Sequence, residues 1–310
     1  MPRRTRSRGD DGVGRLLDLT GPERLDHAAR LVETTEIVDV LSEAAGVLAD
    51  AADARLRPAL LERYRTLAEE PADDRGCVLR AAAVLALRGI AVRADAPALE
   101  HAAMTYEFMK PGPREVAGDL RRAALLCLRD VEPERAAVHA VRLLTDGPEH
   151  RMLSGEPALT AARVLRELDQ TLPLYECALR HPDCDAEVLA ECLVSLTSLP
   201  VPLVAELFDR LGTDEAHPQV LIALFDLVLA HAEREALRAR LLAFLRATEL
   251  LDVHAFVVTS IAALRGDSLV SVLDELARTP QDDPGKRDAL DRALALLPPG
   301  TSRTRPLEPA

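Results

Sequence analysis

The chain has 310 residues, of which 48% are hydrophobic and 29% charged, and 51 acidic side chains outnumber 38 basic ones. The resulting net charge of −13 argues against a protein that coats nucleic acid or an anionic membrane, because both surfaces repel negative charge. Only 3% of the residues are aromatic, and Ala, Leu and Arg are abundant, which favours helices over stacked sheets.

The N-terminal segment does not have the pattern of a secretion signal. Residues 1–8 are rich in arginine, but residues 9–12 contain only Gly and Asp, where a signal peptide would have an apolar stretch. We therefore expect a disordered basic tail over residues 1–14 and a cytoplasmic location.

Neither the apolar runs nor the cysteines indicate another compartment. The most continuous apolar run, residues 220–230, is interrupted by Asp226 and is about half the length that spans a bilayer. The five cysteines are an odd number, which fits a reducing compartment better than a disulfide framework.

The most informative feature of the sequence is an internal repeat. Several segments begin with an apolar anchor, followed three residues later by a small or slim residue and five residues later by a larger apolar one. The anchors are Leu79, Leu120, Leu159, Leu189, Val220 and Phe256. Their spacing varies between 30 and 41 residues, as expected for equivalent helices joined by loops of different length.

The small residues of the repeat are predicted to lie where helices touch. These residues include Ala82, Ala123, Ala162 and Ala223. A larger side chain there would overpack the helix contacts, so we expect Ala123→Leu to cost about 1–3 kcal/mol of stability.

A second class of amphipathic helix lies between the repeated segments, with apolar residues three and four positions apart. Examples begin at Ala59, Arg135, Val201 and Arg234. Prolines stand at or before the first turn of many helices, where the missing N–H costs nothing. The sequence thus predicts an all-α protein of about eight antiparallel helix pairs, with a second disordered tail over residues 298–310.

This pattern resembles the HEAT-repeat family of α-solenoids, to which the armadillo repeats are closely related, over almost the whole chain. Residues 181–188, His-Pro-Asp-Cys-Asp-Ala-Glu-Val, are similar to the acidic turn that opens the second helix of a HEAT repeat, and His217-Pro218 occurs 36 residues later. The resemblance implies one right-handed α-α superhelix over residues 15–297, with the second helices lining its inner surface. It also implies scaffolding and partner binding.

No catalytic signature stands out in the sequence. It has no Gly-rich phosphate loop, no nucleophile elbow and no paired histidines at a zinc-binding spacing, so we expect neither an enzyme nor a cofactor. Cys177, His181 and Cys184 form a C-x3-H-x2-C cluster of zinc-binding residue types. However, structural zinc sites usually show paired short spacings, and we predict no metal.

Arginines gather on the repeated helices of the N-terminal half. The candidate partner-binding residues among them are Arg80, Arg121, Arg122, Arg163 and Arg166. On a concave wall they would attract an acidic or mixed-charge protein or peptide, because a guanidinium can pair with a carboxylate through two hydrogen bonds. The alternative is a solvated face whose charges pair with each other.

Two long loops fall in the same part of the chain. The segment 101–113 holds two of the four methionines and ends in Pro-Gly-Pro, and residues 146–155 form the second loop. Each lies between the two helices of its predicted pair, so both should project from one edge, where such arrays often add specificity. The candidate contacts in these loops are Phe108, Lys110, His150 and Arg151. Alternatively, Met104 and Phe108, four residues apart, belong to the core.

These features predict a non-catalytic scaffold that binds a protein or peptide through its concave face and edge loops. The alternative is a HEAT-like DNA glycosylase of the alkylation-repair kind, a family that sets Trp and an acidic residue against the damaged base on a positively charged face. The chain has no Trp and is acidic, which counts against nucleic-acid binding. The arginine patch is the one feature that favours it.

Overall fold

The computed structural model describes residues 14–35, 37–109, 114–147, 155–180, 184–279 and 283–298. The two predicted tails, 1–14 and 298–310, lie outside these residues except for Gly14 and Pro298. Disorder in the tails therefore stays a prediction.

The described residues are organised as helices joined mostly by short turns, so the prediction of an all-α protein is confirmed. The helices are α1 (Gly21–Thr34), α2 (Val38–Ala51), α3 (Arg57–Glu69), α4 (Val78–Ala86), α5 (Ala96–Ala103), α6 (Gly118–Val131), α7 (Pro133–Thr145), α8 (Ala158–Glu167), α9 (Thr171–Leu179), α10 (Ala186–Val194), α11 (Val201–Leu211), α12 (Pro218–Ala230), α13 (Arg238–Ala247), α14 (Leu251–Leu264), α15 (Asp267–Arg278) and α16 (Pro284–Ala295). The described strands are two residues each, β1 (Phe108–Met109) and β2 (Arg114–Glu115), and they pair antiparallel.

Many helices begin as the prolines predict. Pro58, Pro133 and Pro218 stand in the first turn of α3, α7 and α12, where an N–H would have no partner within the helix. Other helices begin with a side-chain cap: Asp185 accepts a hydrogen bond from the Glu187 N–H at the start of α10.

The contacts within the chain divide it into two units, Met1–Gln170 and Thr171–Ala310. In the first unit, α2, α4, α6 and α8 contact one another in chain order, and α1, α3, α5 and α7 contact members of this row. The repeated segments anchored at Leu79, Leu120 and Leu159 form α4, α6 and α8. The sequence repeat therefore marks one row of stacked helices in this unit.

The second unit has the same arrangement of contacts. Helices α10, α12, α14 and α16 contact one another in chain order, and α9, α11 and α15 contact members of this row. Three aromatic rings fill part of its core, because the ring of Phe225 lies 5.7 Å from that of Phe208 and 4.7 Å from that of Phe244, between centroids. Rings at these distances stabilise the packing beyond their buried area.

The small residues of the repeat lie where the sequence predicts. Ala82, Ala123, Ala162 and Ala223 are all buried, with at most 6% of their surface exposed. The pattern fails in α14, where Thr259 is exposed and the neighbouring Val258 is buried instead. Among the described residues, no helix combines the length and apolar character needed to cross a membrane.

Candidate functional site

A β-hairpin between α5 and α6 presents two large apolar side chains to solvent. Phe108 pairs with Glu115 and Met109 with Arg114, and the Val116 N–H donates to the Glu107 carbonyl at 2.9 Å. Phe108 and Met109 are 50% and 46% exposed. Such exposure is notable in a chain with five Phe and four Met, because exposed large apolar groups on a rigid support often mark interaction sites.

Arg121, in the first turns of α6, holds one side of the hairpin. Its side chain is fully buried, and its Nη1 and Nη2 each donate to the Glu115 carboxylate at 2.8 Å. Nη1 also donates to the Thr105 carbonyl at 3.0 Å, and the guanidinium lies 4.2 Å from the centroid of the Tyr106 ring. The paired hydrogen bonds and the cation–π contact fix the hairpin's position against α6.

Arg80, in α4, holds the other strand of the hairpin through Glu107, the residue directly before β1. Its Nε donates to Asp74 at 2.9 Å, and its Nη1 and Nη2 donate to the Glu107 carboxylate at 2.6 and 3.0 Å. Burial alone would lower the pKa of Arg80, but the bonds to Glu107 and Asp74 outweigh it and raise that pKa. Asp74 also accepts hydrogen bonds from the N–H groups of Leu79 and Arg80, both at 2.9 Å, and so satisfies two donors in the first turn of α4 that have no partner within the helix.

The hairpin is also tied to the second long loop. The hydroxyl of Tyr106 donates to the Asp146 carboxylate, which follows α7, and Arg142 of α7 donates to the Ala103 carbonyl. Burial, together with the bond to Asp146, raises the pKa of Tyr106 to about 12. The two loops predicted to share an edge are thus joined by a direct contact.

The sequence predicts that Arg80 and Arg121 are exposed on an inner surface, and the structure shows that this prediction is wrong, because both are buried. Both side chains are at least 97% buried, and both are neutralised by carboxylates of the hairpin or its neighbourhood. They therefore support the hairpin and are not available to a partner. Helix periodicity does not show these partners, because all of them lie outside the helix that carries the arginine. Asp74 and Glu115 lie six residues before Arg80 and Arg121, and Glu107 lies 27 residues after Arg80.

The remaining candidate arginines differ in exposure. Arg122 is half-buried, pairs with Asp119 at 3.2 Å, and lines a cleft of about 200 Å³ with Gly76, Val78 and Ala123. Arg163 and Arg166 are exposed on α8.

The predicted loop contacts are described only in part. Phe108 is exposed, as a loop contact requires, and Met104 is 57% exposed, so neither belongs to the core. Lys110, His150 and Arg151 lie outside the described residues, and their roles stay predictions.

Sequence reasoning missed the residues that support the hairpin. These are Asp74, Tyr106, Glu107, Glu115 and Asp146. One signal was present: two glutamates flank the Pro-Gly-Pro sequence in a stretch close to several arginines.

Among the described residues, no group of three His, Cys, Asp or Glu side chains is arranged to hold a metal ion. His181 of the C-x3-H-x2-C cluster lies outside those residues. No family model matches the chain, and no curated protein matches it significantly.

Proposed function

We propose that the protein is a non-catalytic scaffold of HEAT-like repeats that binds a protein or peptide partner, with the hairpin as the main contact. The observation that carries the proposal is the exposure of Phe108 and Met109 on a hairpin whose two strands are each held by a glutamate paired with a buried arginine. Aromatic residues and Met are enriched at protein interfaces, and a rigid support reduces the entropy lost on binding.

The row of helix contacts in each unit supports the solenoid part of the proposal. Each helix of a row contacts mainly the previous and next helices of that row and the helices adjacent to it in the chain, which is the contact pattern of repeat proteins. We propose that the pairs from α1–α2 to α15–α16 are the eight repeats of a right-handed superhelix.

The exposed arginines support a partner that carries carboxylates near its apolar contact. Arg163 and Arg166 are exposed on α8, and Arg122 is half-exposed on α6, which contacts α8. Exposed charges at the rim of an interface guide association and specificity more than they add affinity. A short acidic segment with one or two large apolar side chains is the partner chemistry we propose.

The DNA glycosylase alternative has lost its main support. It depended on a patch of five arginines, of which Arg80 and Arg121 are buried and paired with carboxylates. Phosphate contacts dominate nucleic-acid affinity, and the net charge of −13 opposes them. We do not propose this function.

The proposal is tested by affinity capture from the source cells, with the wild-type chain and a Phe108→Ser, Met109→Ser variant as baits and quantitative mass spectrometry as the readout. We expect specific proteins bound by the wild type to be depleted at least about tenfold by the variant, because loss of two apolar anchors costs well over 1.4 kcal/mol.

A matched control removes exposed apolar surface elsewhere. Leu172 and Leu264, 72% and 50% exposed in the second unit, are replaced by Ser in the control bait. We expect this control to retain the captured proteins. Equal capture by all three baits would refute the hairpin as the contact. In that case a peptide from a captured protein is tested against the Arg163→Glu, Arg166→Glu variant. A loss of affinity there would mean that the arginine surface binds the partner without the hairpin.

A further inference from the structure

Two thiols of the second unit lie close enough to react with each other. The Sγ atoms of Cys177, near the end of α9, and Cys184, two residues before α10, are 3.1 Å apart, and neither cysteine is in a disulfide. Cys184 is partly exposed, whereas Cys177 is 3% exposed. One thiol can therefore meet a small solute while the other lies directly beside it.

The other cysteines lie in different surroundings. Cys77, Cys127 and Cys192 are at most 1% exposed. Burial raises the pKa of Cys77 and raises that of Cys127 to about 12, which keeps these two thiols protonated and poorly nucleophilic. Reaction with a solute should therefore be confined to Cys184 and its neighbour.

We propose that Cys177 and Cys184 form a reversible oxidation site for small peroxides, with Cys184 as the reacting thiol and Cys177 as the resolving one. In the first step the Cys184 thiolate attacks one peroxide oxygen, an S–O bond forms, the O–O bond breaks, and the leaving hydroxide takes up a proton as water.

In the second step Cys177 attacks the sulfenic sulfur of Cys184. The S–S bond forms, the S–O bond breaks, and the departing hydroxide takes the proton of the Cys177 thiol, giving a second water. Two thiols are oxidised and hydrogen peroxide is reduced to two waters. Thiol–disulfide exchange with a cellular dithiol reverses the change.

The geometry requires little movement. A disulfide has an S–S length of about 2.05 Å, so the two sulfur atoms must approach each other by about 1 Å. The bond would link the end of α9 to the start of α10, so oxidation would restrain the connection between two helices that pack together.

The test uses the full-length protein, treated with increasing hydrogen peroxide, blocked with N-ethylmaleimide, digested and analysed by mass spectrometry. We expect a peptide pair linked through Cys177 and Cys184, about 2 Da lighter than the sum of the reduced peptides and absent after dithiothreitol. The three buried cysteines should remain unoxidised.

Single variants separate the two roles. In Cys177→Ala, the Cys184 sulfenic acid should persist and be labelled by dimedone, whereas Cys184→Ala should leave Cys177 unoxidised. Cys192→Ala, which removes a buried thiol of α10, should form the linked pair like the wild type.

Three results would overturn the proposal, and the wild type alone can give each of them. They are conversion of Cys184 to sulfinic acid without a linked pair, a linked pair that includes Cys192, and no oxidation of Cys184 at peroxide levels that oxidise free cysteine. Circular dichroism of each variant confirms that a loss of reaction does not reflect unfolding.

Discussion

The hydroxyl of Tyr106 donates a hydrogen bond to the Asp146 carboxylate and so joins the loops of two successive helix pairs. The same ring lies against the guanidinium of Arg121, which in turn holds Glu115 of the hairpin. One side chain therefore couples the hairpin, the next loop and α6.

We expect Tyr106→Phe to lower the free energy of unfolding by about 1 kcal/mol, because a single hydrogen bond is lost while the ring stays in place. The amide of Val116, which closes the hairpin, should exchange with solvent faster. Hydrogen exchange followed by mass spectrometry measures both. The control is Tyr175→Phe, which removes a hydroxyl bonded to Glu206 in the second unit and should leave exchange in the hairpin unchanged.

We expect Arg121→Met to cost about 3–5 kcal/mol, because the buried carboxylate of Glu115 loses the charge that compensates it. Urea unfolding at pH 7 gives the value. The control is Arg122→Met at the next position, where the pair with the exposed Asp119 contributes little and the cost should stay below about 1 kcal/mol.

A second substitution checks the cause of that loss. Adding Glu115→Met to Arg121→Met removes the uncompensated charge, so part of the lost stability should return. If the double variant were less stable than Arg121→Met by the full cost of a single Glu115→Met, the two side chains would not be energetically coupled.

His254 should make stability depend on pH in the acidic range. Its ring is fully buried, neither ring nitrogen has a hydrogen-bond partner in the described residues, and burial, with the nearby charge of Lys286, lowers its pKa to about 4. The unfolded chain binds the proton with a pKa near 6.5, so stability is complete above pH 6.5 and is lost as the pH falls toward 4. The expected loss is on the order of 2–3 kcal/mol.

Carboxylates also titrate in the acidic range, so two histidine variants are compared to separate the contribution of His254 from theirs. His254→Leu should unfold with a weaker dependence on pH between 6.5 and 4 than the wild type, measured by urea denaturation at several pH values. The control is His217→Asn. The side chain of His217 caps α12 by accepting a hydrogen bond from the Gln219 N–H, and Asn can also serve as a cap. The stability of this variant should depend on pH as that of the wild type does. A wild-type slope in His254→Leu would contradict the assignment.

Overpacking should differ between two equivalent positions of the repeat. Ala162 is fully buried, so Ala162→Leu should cost about 1–3 kcal/mol. Ala123 is also buried, at 1% exposed, but it borders the cleft beside Gly76, which offers space for a larger side chain. The structure therefore lowers the cost expected from the repeat alone, and Ala123→Leu should fall at the low end of that range, about 1 kcal/mol. Thermal unfolding measures both, with Ala243→Leu at an exposed position of α13 as the control that should change stability little.

The sequence by itself determined the helices, the row of repeated segments and the burial of their small residues, with the exception of Thr259 in α14. Apolar periodicity and first-turn prolines depend only on residues a few positions apart, so they can be read along the chain. Ala82 and Ala162 were identified in this way, and both are buried.

Only the tertiary structure decided which arginines face solvent. Helix periodicity gives a residue's position around its helix but does not show which carboxylates it meets. Arg80 pairs with Glu107, which lies beside the hairpin strands 27 residues away, and Arg121 pairs with Glu115 of the same hairpin. A carboxylate brought from outside the helix turns a charge that periodicity alone would leave in solvent into a buried ion pair. The same holds for Tyr106 and Asp146, which are 40 residues apart and meet only because successive helix pairs set their loops side by side.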